Sequence, residues 1–244
     1  MTDTTLVLLP GLDGTEIFFR PLMERLPATI RPLALSYSNL GPHDYLALLD
    51  VVRSQLGGIT QYVVFGSSFS GPLAVMLAAA EPRKVRGIIL AATFVSSSSL
   101  PLTRSRVVVQ TPLVAAIRLA RRFPLWILRP PQDAMRIAKR ETWSRVSARA
   151  LASRARAALG VDLRGTLSLC QQPLLCVTYD ADNVIPTRSS DEIRRFCAHA
   201  RGVRLAGGHL AMFHDPEPLA AEIVRFVEVD CAPMRELRQA SESA

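Results

Sequence analysis

Val63-Val-Phe-Gly-Ser-Ser-Phe-Ser-Gly-Pro72 sets an apolar, β-branched run directly against a cluster of small residues with a serine at its centre, and an alanine-rich helical stretch follows at once. A serine hydroxyl is a poor nucleophile until it is held exposed beside a base. A sharp turn from a buried strand into a helix does this by lifting the serine above the strand end, and the turn is then a nucleophile elbow. It needs small residues two places before and two places after the nucleophile, so that the backbone folds back without a Cβ clash. Centred on Ser68, those places hold Gly66 and Ser70, where G-x-S-x-G is the usual pattern and Gly71 comes one step later. Centred on Ser70 they hold Ser68 and Pro72, and proline fits such a place badly. Ser68 is therefore the candidate nucleophile, against the bland alternative of a serine-rich loop between a strand and a helix.

Three further stretches supply what a serine nucleophile lacks. Leu205-Ala-Gly-Gly-His209 ends an apolar run and precedes a proline-containing helix start, which makes His209 the candidate base. A lone histidine is more often structural, but the Gly-Gly-His context after a strand favours the catalytic reading. Leu174 to Pro186 is another buried run entering a polar turn, where Asp182, four residues before Pro186, is the candidate orienting acid and Asp180 its competitor. Leu6-Val-Leu-Leu-Pro-Gly-Leu-Asp-Gly-Thr15 reads as a strand and a glycine-punctuated loop. In acyl transfer the carbonyl oxygen becomes an anion, and preorganised backbone N–H groups must point at it. The N–H of Phe69, just after the nucleophile, and that of Leu12, just after Pro10-Gly11, are the candidate oxyanion donors.

The order Ser68, Asp182, His209 is similar to that of the α/β-hydrolases, whose serine, acid and histidine come from three successive strand ends. The chain resembles that superfamily along nearly its whole length, and its small-esterase branch in particular. The Leu-Pro-Gly-Leu-Asp-Gly-Thr loop, taken with Gly-Ser-Ser-Phe-Ser-Gly, resembles bacterial esterases related to the pimeloyl-acyl-carrier-protein methyl ester esterases of biotin synthesis. Pro10 stands where the family more often has histidine, a departure that bears on support of the loop. The resemblance implies a serine carboxylesterase without cofactor or metal, acting on a medium-length acyl ester, free or linked to acyl carrier protein. Thioesterase, acyltransferase, cofactor-free haloperoxidase and C–C hydrolase activities use the same residues and stay open. So does a non-catalytic ligand receptor, which turnover of a short p-nitrophenyl ester would exclude.

The rest of the chain bounds this reading. Its 244 residues, 49% of them hydrophobic, suit one α/β domain carrying an insertion. Six runs read as strands, at 5–9, 31–37, 61–66, 85–92, 173–179 and 202–206, and helical patterns separate most of them. Near-continuous apolar strands alternating with helices predict a mostly parallel sheet covered on both faces. So few residues precede the first run that the antiparallel hairpin opening many such sheets has no room. A helix is expected over 69–80, with Pro72 in its first turn, where the missing N–H costs nothing. No apolar run reaches the 18 or so residues of a membrane span, and Met1-Thr-Asp-Thr-Thr lacks a signal peptide's basic start, so a soluble cytoplasmic protein is expected. Cys170, Cys176, Cys197 and Cys231 are scattered, without CxxC spacing, and read as reduced thiols rather than a disulfide framework or metal site.

The sequence divides into a core of residues 1–95 and 166–231, a helical lid over 96–165 and a polar tail over 232–244. Helices are expected near 112–122, 131–142 and 144–159. The lid holds thirteen arginines and one lysine against three acidic residues, a charge of +11 that leaves −3 for the remainder. Arg118, Arg121 and Arg122 follow helical spacing, as do Arg145, Arg149 and Arg156, so two helices could each present a basic stripe. Leu113, Ile117, Leu125, Trp126, Ile127 and Met135 would then face the active site. Such a lid suits an acidic partner such as acyl carrier protein, or an anionic lipid surface; a merely solvated face is the alternative. No nucleic-acid module or basic-aromatic stacking pattern accompanies the charge.

Overall fold

A computed structural model describes residues 3–100 and 133–231. Its centre is a sheet of six strands, β1 (Thr4–Leu9), β2 (Ile30–Ala34), β3 (Tyr62–Ser67), β4 (Val85–Ala91), β5 (Leu174–Tyr179) and β6 (Arg201–Leu205), in the order β2-β1-β3-β4-β5-β6. Every pairing is parallel. The helices are α1 (Arg20–Met23), α2 (Tyr45–Leu56), α3 (Gly71–Ala80), α4 (Ala134–Arg145), α5 (Ala148–Ala158), α6 (Arg164–Ser168), α7 (Thr187–Phe196), α8 (Ala211–His214) and α9 (Glu217–Arg225).

Successive side chains of a strand point to opposite faces, and a parallel sheet must bury both. Leu6 and Leu8 of β1, Val63 and Phe65 of β3 and Leu175 and Val177 of β5 pack with Leu22, Met212, Leu219 and Ile223 of α1, α8 and α9. Val7, Leu9, Val64 and Cys176 turn the other way, onto Leu48, Leu73, Leu77, Leu167 and Ile193 of α2, α3, α6 and α7. The continuous apolar runs of the sequence are thus strands sandwiched between helices. β2 is shorter than the run over 31–37 predicts: after Leu35 the chain leaves the sheet, and the Tyr37 N–H donates to the carbonyl of Gly14 at 2.9 Å instead. The start of the helix expected over 69–80 is a 3-10 turn, Ser68–Ser70, before α3 begins at Gly71.

The segment between β4 and β5 leaves and returns at one place. The Ser97 N–H donates to the Val161 carbonyl (2.8 Å) and the Leu163 N–H to the Val95 carbonyl (2.9 Å). Within it, the Asp133 side chain caps α4 by accepting the Met135 N–H, and Ser147 caps α5 by accepting that of Ala150, each at 3.0 Å. Ser147 therefore starts a new helix, and the stripe expected over Arg145, Arg149 and Arg156 does not exist. Arg145 ends α4, whereas Arg149 and Arg156 belong to α5. Arg145 also binds Glu16 at 2.9 Å and Glu141. Arg118, Arg121 and Arg122, the helix expected at 112–122, the apolar positions Leu113 to Ile127 and the tail 232–244 lie outside the described residues. Met135 is buried.

All four cysteines are free thiols. Burial pushes the pKa of Cys170 up to about 11 and that of Cys176 up to about 12, and raises Cys197 as well. Since the thiolate is the reactive form, Cys170, Cys176 and Cys197 should ignore an aromatic disulfide reagent at pH 8 in the native protein and react in denaturant. Rapid native labelling of any of these three would contradict their placement.

Candidate active site

At the end of β3 the chain turns so sharply that Ser68 adopts φ +51°. A side chain at Gly66 would put its Cβ 2.6 Å from the Ser70 carbonyl oxygen and 2.8 Å from the Ala74 Cβ, so only glycine fits there. Ser70, two places beyond Ser68, is fully buried and its hydroxyl is engaged. It donates to the Pro10 carbonyl and accepts from the Tyr37 hydroxyl. That excludes Ser70 as an accessible nucleophile and explains a serine in glycine's usual place: it bolts the elbow to the loop after β1. Two more hydroxyls hold the turn. Thr93 donates to the Ser68 carbonyl, and Tyr45 donates to the Phe69 carbonyl at 2.8 Å while its ring stacks on Phe69 with centroids 4.9 Å apart.

The Ser68 Oγ lies 3.0 Å from His209 Nε2, and His209 Nδ1 lies 2.9 Å from Asp182 Oδ2. With the proton on Nδ1 donated to the carboxylate, Nε2 is left free to accept from the serine. Asp182 Oδ1 accepts from the Val184 and Ile185 N–H groups at 2.7 and 3.0 Å. Burial alone would raise the Asp182 pKa, but the hydrogen bond and charge of His209 and these two N–H donors together hold the carboxyl below its ordinary value. Asp180 plays a different part. Its Oδ1 accepts the Gly207 N–H at 2.8 Å and so tethers the Gly-Gly-His loop to the end of β5.

The loop after β1 lies beside the elbow. The Leu12 N–H donates to no backbone acceptor among the described residues. The Gly14 N–H donates to the Gly11 carbonyl at 2.9 Å, and Asp13 Oδ1 accepts from the Thr15 N–H at 2.8 Å. Burial pushes the Asp13 carboxyl above its ordinary pKa, against the opposing hydrogen bonds from Thr15 and the charge of Arg154. Gly11, Leu12, Ser68 and His209 border a cleft of about 260 Å³, and Phe18, Leu151, Val184 and Met212 contribute apolar wall. Among the described residues of the inserted segment, Leu151 of α5 lines it and Met135 does not.

Arg154, also on α5, escapes the sequence reading, which counts it only as one more lid charge. It is fully buried, and its guanidinium donates to the carbonyls of Leu12, Asp13, Tyr37 and Ser38 at 3.3, 2.8, 3.3 and 2.9 Å. Burying an ion costs several kcal/mol even after relaxation, so these four acceptors are what make the position tenable. Tyr37, Tyr45 and Thr93 are missed as well. Each acts on a partner far away in sequence, and no local pattern marks it.

A parallel sheet whose strand ends carry a strained serine, a histidine and an aspartate is the α/β-hydrolase fold. The chain belongs to the alpha/beta hydrolase family, whose model matches residues 6–222, and is accordingly a hydrolase. Solved structures share the fold at low identity. The enol-lactonase from Burkholderia xenovorans LB400 superposes with a TM-score of 0.76 at 19% identity, over 93% of this chain and 92% of that one. MenH from S. aureus gives 0.76 at 14% identity over 95% and 96%, and the esterase EaEST from Exiguobacterium antarcticum 0.72 at 16% over 93% and 92%. A comparison with curated proteins finds no match. Among the described residues no helix is long and apolar enough to cross a membrane.

Proposed function

We propose that the protein is a serine carboxylesterase. The observation that carries this reading is the unbroken hydrogen-bonded line from Ser68 Oγ through His209 to Asp182. In the proposed reaction His209 takes the Ser68 proton as Oγ attacks the ester carbonyl, and Asp182 stabilises the imidazolium that forms. The Leu12 and Phe69 N–H groups receive the oxyanion. The histidine returns the proton to the leaving alcohol, and water, activated in the same way, releases the acid from the acyl-enzyme. Apolar walls on the cleft, and the presence of an esterase and a lactonase among the structural neighbours, favour a carboxylic ester carrying an aliphatic chain. The purified protein should release p-nitrophenol from short acyl esters and take up one fluorophosphonate per chain at Ser68. Absence of both would remove the reading.

A pimeloyl methyl ester on acyl carrier protein is the narrower substrate, supported by the loop and elbow resemblance and by the charge of the lid. Of the three arginines of the expected stripe, Arg149 and Arg156 share one helix, α5, and both are exposed there, so the test falls on them. Exposed charges act mainly on encounter with an acidic partner, screened over roughly 8 Å at physiological ionic strength. Replacing Arg149 and Arg156 with glutamate should raise KM for a carrier-linked ester and weaken its salt dependence, with free-ester turnover unchanged and circular dichroism reporting an intact fold. Equal handling of both esters by the folded variant would free the lid of any carrier role.

A further inference from the structure

Arg154 sits at the head of a chain of two peptide groups that ends at the proposed oxyanion site. Its guanidinium donates to the Asp13 carbonyl at 2.8 Å. A trans peptide points its N–H opposite to its C=O, and on the other side of that peptide the Gly14 N–H donates to the Gly11 carbonyl at 2.9 Å. The Gly11 carbonyl in turn belongs to the peptide whose N–H is that of Leu12. A buried cation at one end therefore fixes two hydrogen-bonded peptide planes, Asp13–Gly14 and Gly11–Leu12, and it polarises both in the sense that makes the last N–H a better donor. That Leu12 N–H donates to no backbone acceptor among the described residues.

We propose that Arg154 is a positioning residue for ester cleavage, holding and polarising the Gly11-to-Gly14 loop so that the Leu12 N–H meets the oxyanion forming at Ser68. Three observations distinguish this from simple packing of α5 on the core. The charge that Arg154 meets is that of Asp13 in the same loop, with which it interacts electrostatically without a salt bridge among the described residues, and apolar side chains would join two packed surfaces without burying a charge. All its acceptors lie in the loop at Leu12 and Asp13 and in the segment at Tyr37 and Ser38, which is bound to that loop through Tyr37 N–H and Gly14 carbonyl. The loop is also shaped to admit it: Gly14 has φ +72°, and a Cβ there would come within 2.5 Å of Arg154 Nη1. Because α5 belongs to the segment inserted between β4 and β5, that segment supplies part of the loop's support as well as cleft wall.

The proposal rests on the serine-esterase reading, and its test separates the two. Wild type, Arg154→Lys and Arg154→Met are compared for kcat and KM on a small p-nitrophenyl ester. They are also compared for binding of two inhibitors of equal length, a trifluoromethyl ketone, which forms an anionic adduct with the serine, and the methyl ketone, which binds without one. Misplacing one oxyanion donor costs on the order of 10²-fold. Arg154→Met should therefore lose about that factor in kcat and in trifluoromethyl ketone affinity, with KM and methyl ketone affinity within about threefold. Arg154→Lys keeps the charge but not the planar fork and should lose roughly tenfold in the same two quantities. If Arg154→Met does not fold, the lysine variant decides alone. A folded variant with wild-type kcat and wild-type preference between the ketones overturns the proposal, as does an equal loss for both ketones, which would mean general collapse of the cleft. Undiminished turnover in Ser68→Ala would instead sink the esterase reading.

Discussion

Ser68→Ala is expected to lower ester turnover by about five to six orders of magnitude while leaving the protein folded. Removing the nucleophile of a triad costs nearly as much as removing the triad, because the remaining groups have nothing to activate. The side chain is partly exposed, and among the described residues its hydroxyl bonds only His209, so little packing is lost. Ser70→Ala is the informative control. It deletes the bonds to Pro10 and Tyr37 inside the core, and a buried acceptor left without its donor costs about 1–3 kcal/mol. Its main effect should be a lower unfolding midpoint, with activity reduced only as far as the loop loosens. A Ser68→Ala enzyme with near-normal rates beside an inactive Ser70→Ala would reverse the frame of the elbow.

Asp182→Asn should cost about 10⁴-fold in kcat, since the amide neither fixes the histidine tautomer nor balances the imidazolium. Asp180→Asn should be mild, because an amide oxygen at that position still accepts the Gly207 N–H. Comparable severe losses in both would mean that the tether is as important as the acid. The same substitution has a signature in stability. The Asp182 carboxyl is held below its ordinary pKa in the folded protein, so its contribution is fully present above the unfolded value, about 3.9, and is lost as pH falls through the folded value. Denaturant midpoints of wild type and Asp182→Asn should therefore converge as the pH is taken below about 4. A difference that widened there would contradict the direction of the shift.

The strands were legible because a parallel sheet covered on both faces leaves an uninterrupted apolar run, and β1, β3, β4 and β5 each leave one. Ser68, His209 and Asp182 could be picked out because each stands where a strand ends among glycines or turn residues. What holds them could not. Arg154 and Leu12 are 142 residues apart, and an arginine in an arginine-rich helix reads as surface until its acceptors are seen. The stripe drawn through Arg145, Arg149 and Arg156 failed for a local reason: Ser147 captures the Ala150 N–H and starts the helix afresh. Asp180 and Asp182 share one strand end, and only the geometry distinguishes tether from partner.

The pair of hydrogen bonds that joins Val95 and Ser97 to Leu163 and Val161 has an evolutionary consequence. It closes the neck of the inserted segment, so the sheet below meets the same two chain ends whatever lies above them. Doubling a closed loop adds only about 0.6 kcal/mol of closure entropy. Lineages of this fold could therefore lengthen, shorten or exchange the segment for new substrates at little cost to the sheet, provided that whatever replaces α5 still reaches down to the loop after β1.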